Sequence, residues 1–253
     1  VFQIDFNAET GRIRSIVFQK DAYQMNWCGQ THEWGEIFFR NEPHAYDASK
    51  NTFVINTWNF QEENKLVSFE ESDVEAVSVY SNGRLQTTVK RGFDENGNFV
   101  ETYEFKNISP DELFFRKGEV GIYTPFADEY RAAQESLTTK CSAHVWCGEN
   151  VSWVNALRQG VSEENLGLVL TEGSLEAYSI DRDHQTVATA YRGNIVLHPY
   201  LSPLLPEECA VVSWTLFKHK GTPDFLSKIS ARGGLWCSLP WPFPPCHRKF
   251  TKK

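Results

Sequence analysis

Five residues that combine ring stacking with polar recognition lie in the stretch from Cys141 to Arg158. Read as extended chain, Cys141, Ala143, Val145 and Cys147 share one face, and Ser142, His144 and Trp146 share the other. The first set is small and apolar and is expected to face a core. The second pairs an imidazole with an indole, a combination that grips sugars: the ring stacks on an apolar sugar face and the His bonds a hydroxyl. Beyond Gly148-Glu149-Asn150 the chain alternates again. Trp153, Asn155 and Leu157 fall on one side, and Val154, Ala156 and Arg158 on the other. A plain hairpin puts Arg158 beside His144 and Trp146, whereas a one-residue shift puts Trp153 and Asn155 there. Both registers fit the sequence. His144, Trp146, Trp153, Asn155 and Arg158 are therefore the candidate contacts to carbohydrate or to a neighbouring domain. The competing reading is that His144 and Trp146 pack beneath a loop or against such a domain.

Other chemistry-bearing groups are more scattered. Glu33 and Glu36 flank Trp34 in a Gly-containing loop. Two carboxylates beside an aromatic can do acid–base work on a glycosidic bond at a defined separation, but solvated loop acids are the simpler expectation. Asp128, Glu129 and Tyr130 follow Thr124-Pro125-Phe126, where carboxylates cap a helix start more often than they bind a ligand. His198, before Pro199, is expected to be a structural histidine. The chain carries no phosphate-binding loop, HExxH, GxSxG or Cys-His zinc pattern, and neither a metal nor a cofactor is expected.

The elements that position these groups read as strands. Residues 1–7 and 12–18 alternate around Glu9-Thr10-Gly11 as an opening hairpin. Further strands are expected at 52–60, 66–71, 75–81, 84–91, 99–107, 113–123, 143–147, 166–171, 175–180, 194–198 and 210–218. Asn82-Gly83 joins two of them as a tight hairpin signal, and Glu95-Asn96-Gly97-Asn98 makes another turn. Helix is expected only at 128–136 and 223–230. No strand–helix alternation suggests a parallel sheet, so the fold class is all-β: a large two-layer antiparallel β-sandwich with one or two short helices.

Composition narrows the partners. The 253 residues hold 41% hydrophobic and 14% aromatic side chains, enough for a sizeable core. A net charge of −8 argues against nucleic acid or an anionic membrane as partner. No apolar run approaches the roughly 18 residues that span a bilayer, and the N-terminus has no signal-peptide pattern, so a cytoplasmic location is expected. The six cysteines, Cys28, Cys141, Cys147, Cys209, Cys237 and Cys246, match no disulfide framework and are expected to be buried free thiols. From Arg232 onward the sequence changes character. This stretch holds five of the 25 Lys and Arg residues, four of the 11 prolines and none of the 33 acids. Such a shift marks a boundary. The expected domains are 1–221, a linker helix starting at 222–231, and a poorly packed basic, Pro-rich tail at 232–253, read either as an interaction segment or as the product of an interrupted frame.

The runs TPFADEY (124–130), CSAHVWCGENVSWVNALRQG (141–160), LGLVLTEGSLEAYSI (166–180) and NIVLHPYLSPLLPEECAVVSWTLFKH (194–219) resemble a known domain. It is the N-terminal β-supersandwich of bacterial proteins related to glycoside hydrolases. The opening IDFNAETGRIRSI (4–16) and DAYQMNWCG (21–29) fit the same pattern. In that architecture the sandwich, similar in fold to galactose mutarotase, precedes an (α/α)6 barrel. The resemblance implies that the barrel supplies the catalytic acids and that the sandwich packs against it, so no catalytic residue is carried over. Three functions follow as expectations. The first is a non-catalytic carbohydrate-associated domain of a larger glycoside hydrolase-like protein, whose partners are carbohydrate and the missing helical barrel, or another chain, through an exposed apolar patch. The second is a free-standing mutarotase-type epimerase using a His/Glu pair such as His144 with Glu172. The third is a purely structural or interaction module.

Overall fold

Strict alternation builds the centre of the molecule. FVETYEFKN at residues 99–107 places Phe99, Glu101, Tyr103 and Phe105 inward, each buried, with half-buried residues between them. The computed structural model describes residues 2–29, 31–39, 44–47, 52–55, 64–115, 117–148, 151–181 and 192–231, with 44–47 and 52–55 as backbone only. In chain order the elements are β1 (Phe2–Asn7), β2 (Arg12–Phe18), β3 (Ile37–Phe39), β4 (His44–Asp47), β5 (Thr52–Ile55), β6 (Lys65–Glu71), β7 (Glu75–Ser81), β8 (Leu85–Phe93) and β9 (Phe99–Asn107). They continue with β10 (Val120–Thr124), α1 (Ala133–Thr139), β11 (Cys141–Trp146), β12 (Trp153–Arg158), β13 (Asn165–Glu172), β14 (Leu175–Asp181), β15 (Asn194–Pro199), β16 (Cys209–His219) and α2 (Thr222–Ala231).

An eight-stranded sheet runs β11-β12-β13-β16-β9-β8-β7-β6, and a four-stranded sheet runs β14-β15-β10-β3. The pairs β1-β2 and β4-β5 form separate hairpins, and every strand pair is antiparallel. Residues of the large sheet (Tyr103, Leu168, Trp214), of the small sheet (Ile37, Ile122, Leu197) and of the first hairpin (Ile13, Phe18) belong to one buried cluster. The expected two-layer antiparallel sandwich is thus the observed fold. The strand expected at 113–123 forms only over Val120–Thr124, with Leu113 instead making an isolated bridge to Leu204. The Asn82-Gly83 turn shifts by one residue. Asn82 bonds Leu85 through both main chain and side chain, so Gly83 and Arg84 are the turn's centre and only Gly83 takes a positive φ. The expected strand residues at 56–60 and the 232–253 tail lie outside the described residues.

A buried charge ties the layers together. Glu101 of β9 is fully buried. Its Oε1 accepts the indole N–H of Trp34 at 2.7 Å and of Trp214 at 2.9 Å. Its Oε2 accepts Arg91 Nε at 2.9 Å and the Tyr103 hydroxyl at 3.0 Å. Arg91 Nη1 then donates to the Gly11 carbonyl at 2.9 Å and to Ser78 Oγ at 3.2 Å. The β1-β2 turn is thereby fastened to β7 and β8, and the loop before β3 to β9 and β16.

A second buried pair corrects one expectation. In the β11-β12 hairpin Cys141 opposes Arg158, so Arg158 shares the core face and not the face of His144 and Trp146. Its Nη1 and Nη2 bind Asp21 at 2.9 and 2.6 Å, and both side chains are buried. Burial alone would raise the Asp21 pKa. The bonds from Arg158 and from the amides of Met25 and Tyr23 outweigh it and hold the carboxyl below its ordinary value. The cysteines are also mixed: Cys28 and Cys141 are buried, with thiols pushed up by burial, Cys147 is half-buried and Cys209 is exposed. Cys237 and Cys246 lie outside the described residues.

Two outcomes follow from these pairs. Arg91→Met leaves the Glu101 charge uncompensated and should cost about 3–5 kcal/mol in urea unfolding. Asp21→Asn should cost about 3 kcal/mol at neutral pH. Because the folded Asp21 pKa is depressed, its contribution is present above the unfolded value of about 4 and is lost as pH falls through the folded value. The gap between wild type and Asp21→Asn should therefore shrink below about pH 4; a gap that stays constant there refutes the assignment.

Candidate functional site

The β11-β12 register brings four of the five candidate residues onto one face. His144 opposes Asn155, and Trp146 opposes Trp153. This is the outer face of the large sheet, and α2 packs on the part of it formed by β12, β13 and β16. Phe225 and Ile229 of α2 are buried against Val169 and Phe217, with Trp153 and Leu226 at the margin. Spacing of one turn puts those two apolar residues on the same helix face, and Pro223 suits its first turn. The Trp153 ring meets Phe225 edge-on at 5.3 Å, and Phe217 stacks on Phe225 at 5.6 Å. Gly167 makes room for this layer: a Cβ there would come within 2.6 Å of the Phe217 ring. Asn155 Nδ2 reaches Thr222 Oγ1 at 3.3 Å, and Asn155 is buried. Trp153 and Asn155 are thus occupied by α2. His144 is exposed, and Trp146 remains 45% exposed on the edge strand.

The His144–Glu172 pair does not converge. His144 opposes Asn155, which opposes Gly167, and Glu172 lies five residues further along β13. Two strand spacings and five residue rises separate the two positions by on the order of 20 Å. Nor does Asp128 cap α1, whose N-cap is Ala132 with no side-chain bond. Asp128 instead accepts the Ala143 amide at 2.9 Å and lies 3.5 Å from Arg192, with a pKa raised by burial. Glu129 pairs with Lys140 and Arg131, and Tyr130 is exposed. His198 is a satisfied structural residue: Nδ1 donates to the Val120 carbonyl at 2.8 Å, so Nε2 accepts from Ser179 at 2.8 Å.

Polar groups converge instead around Glu33 and Glu36. They line an open cavity of about 420 Å³ with Arg12, Ile13, Arg14, Asn26, Thr31 and His32. Trp34 turns inward to Glu101, which directs its neighbours outward. Arg12 Nη1 lies 3.5 Å from Glu33 and 3.6 Å from Glu36. Glu33 Oε1 accepts Asn7 Nδ2 at 2.6 Å. His32 Nδ1 bonds Glu36 Oε2 at 3.1 Å, and its ring lies flat on Tyr123, 4.0 Å between centroids and 6° between planes. The Tyr123 hydroxyl in turn donates to Asp181. Burial works to raise the Glu36 pKa, but the His32 bond and the Arg12 charge outweigh it and hold it low. The two glutamates are therefore not plain solvated acids. The sequence shows them as a pair, but Asn7 and Arg12 come from β1 and β2 and the Tyr123 ring that braces His32 comes from β10, so only the tertiary fold assembles the group. Among the described residues no cluster of three or more His, Cys, Asp or Glu side chains is placed to hold a metal ion, and no helix is long and apolar enough to cross a membrane.

No family model and no curated protein matches the chain. Among solved structures it is similar to a polysaccharide lyase, with a TM-score of 0.76 and 26% identity over 91% of this chain. A kojibiose phosphorylase from the human microbiome aligns over 92% of the chain at a TM-score of 0.42 and 9% identity, covering 27% of its own length. A heparan sulfate lyase from Pedobacter heparinus aligns over 87% at a TM-score of 0.37 and 11% identity, covering 37% of its own length. The chain spans 34% of the polysaccharide lyase, and what it shares with that protein is a β-rich domain.

Proposed function

We propose that this chain is a non-catalytic, carbohydrate-associated β-sandwich, of the mutarotase-like supersandwich kind, belonging to a larger polysaccharide-degrading protein. The observation that carries the reading is the likeness to the polysaccharide lyase, which spans nearly all of this chain and only a third of the lyase. The catalytic centre then lies in a separate helical domain. Residues 1–221 form the sandwich, and 222–231 begin the connection to that domain. Exposed Trp146 and His144, beside α2, are the contacts offered to it. The large separation of His144 and Glu172 speaks against the mutarotase-type pair.

Binding and turnover separate this reading from its rivals. The chain should bind at least one member of a panel of plant, algal and animal polysaccharides in affinity electrophoresis. It should also yield no elimination product, followed by the ultraviolet absorbance of the new carbon–carbon double bond. Turnover by the chain alone would make it an enzyme in its own right. Failure to retard any polysaccharide would leave it a structural module.

A further inference from the structure

We infer that the cavity between Glu33, Glu36 and Arg12 is a subsite for one uncharged pyranose unit, recognised through its hydroxyls, and that it rejects a uronate. The inference rests on the carbohydrate reading and specifies which sugar the domain holds and where.

The charges of the wall select the guest. An anionic guest, whether carboxylate, sulfate or phosphate, meets two carboxylates, Glu33 and Glu36. A cation meets the Arg12 guanidinium held between them, with Arg14 beside it. Both signs are disfavoured, and a neutral guest remains. Ile13 is the one apolar side chain among those lining residues, so an apolar guest would leave the polar wall without partners.

The hydrogen-bonding capacity of the wall fits hydroxyls. Each glutamate is only an acceptor, with about four lone-pair sites between its oxygens. Glu33 uses one on Asn7, and Glu36 uses one on His32. The Arg12 contacts of 3.5 and 3.6 Å are longer than the roughly 2.7–2.9 Å of a charge-assisted hydrogen bond, so its donors are not saturated. A hydroxyl both donates and accepts. Adjacent hydroxyls on a sugar ring can therefore give a proton to a glutamate oxygen and take one from Arg12. The wall is held before any guest arrives: His32 is fixed by Glu36 and by the flat Tyr123 ring, and Trp34 is anchored on Glu101. At about 420 Å³ the cavity lies in the size range of small-ligand sites.

The test uses the isotope-labelled chain and titrates it with galactose, glucose and N-acetylglucosamine, and separately with glucuronic and galacturonic acids. At least one neutral sugar should saturably shift the signals of Arg12, Asn26, His32, Glu33 and Glu36, and the acids should bind about tenfold more weakly or not at all. Arg12→Met should abolish the neutral-sugar shifts. The near-isosteric Glu33→Gln/Glu36→Gln double variant keeps the test open if Arg12→Met fails to fold. It should gain about tenfold in affinity for glucuronic acid as the repulsion disappears. Tighter binding of the acids by wild type overturns the inference, as does an unchanged preference in the double variant. Shifts confined to His144 and Trp146 overturn it while leaving carbohydrate association standing. Absence of pocket shifts in a chain that binds polysaccharide does the same.

Discussion

The Glu101 carboxylate is fully buried in the core, out of contact with bulk solvent, and the need to compensate its charge governs the groups around it. A buried carboxylate is tolerated only when a counter-charge and several donors reach it at once. Arg91 supplies the charge, and two indoles and a phenol supply the remaining donors. Burial and the Glu101 charge push the Tyr103 phenol well above its usual pKa, so it stays a donor. These groups come from β8, β9, β16 and the loop before β3, and Arg91 adds the Gly11 carbonyl of the first hairpin. Replacing the whole cluster with apolar groups would save the desolvation cost, but it would also release the hairpin and the loop from the large sheet.

That anchoring reaches the cavity through four consecutive residues. Trp34 points into the core, so Glu33 and Glu36 on either side of it face the cavity with His32. Gly35 allows the tight approach. Its φ is +86°, and a Cβ would lie 2.5 Å from Arg91 Nη2. A side chain at this position would have to displace the guanidinium or reverse the backbone, and either would misplace Glu36. The loop therefore serves two environments. Its inward half satisfies a buried charge, and its outward half presents charges that satisfy one another incompletely.

How much of this was legible in the sequence depended on how local the determining contact is. Alternation revealed β7, β9 and the first hairpin because each has one buried face. It did not reveal β3, which spans only three residues, or β4, and it overextended β10, whose residues are buried on both faces. The register of β11 against β12 was open because the connection between Trp146 and Trp153 is too long to dictate it. What accompanies the observed register is Arg158 pairing with Asp21, 137 positions away in the chain. The candidate residues divided for the same reason. Trp153 and Asn155 look like sugar contacts until α2 folds over them, and nothing within 141–158 announces a helix that begins at Thr222. Glu33 and Glu36 looked like ordinary loop acids because Arg12 and Tyr123 are remote from them in sequence.

The two surfaces proposed as contacts lie on opposite sides of the sandwich. Trp146 and His144 belong to the outer face of the eight-stranded sheet, next to α2. The cavity adjoins Tyr123, which sits on the face of β10 turned away from the core, since its neighbour Ile122 pairs with Leu197 inside it. A partner docked beside α2 would therefore not obstruct a sugar in the cavity. The rigid core between the two faces, closed by the Glu101 cluster, fixes the spacing between them. A domain that must hold a chain of sugars and also pack on a neighbour needs such a separation, because one surface cannot be buried against protein and remain open to polysaccharide.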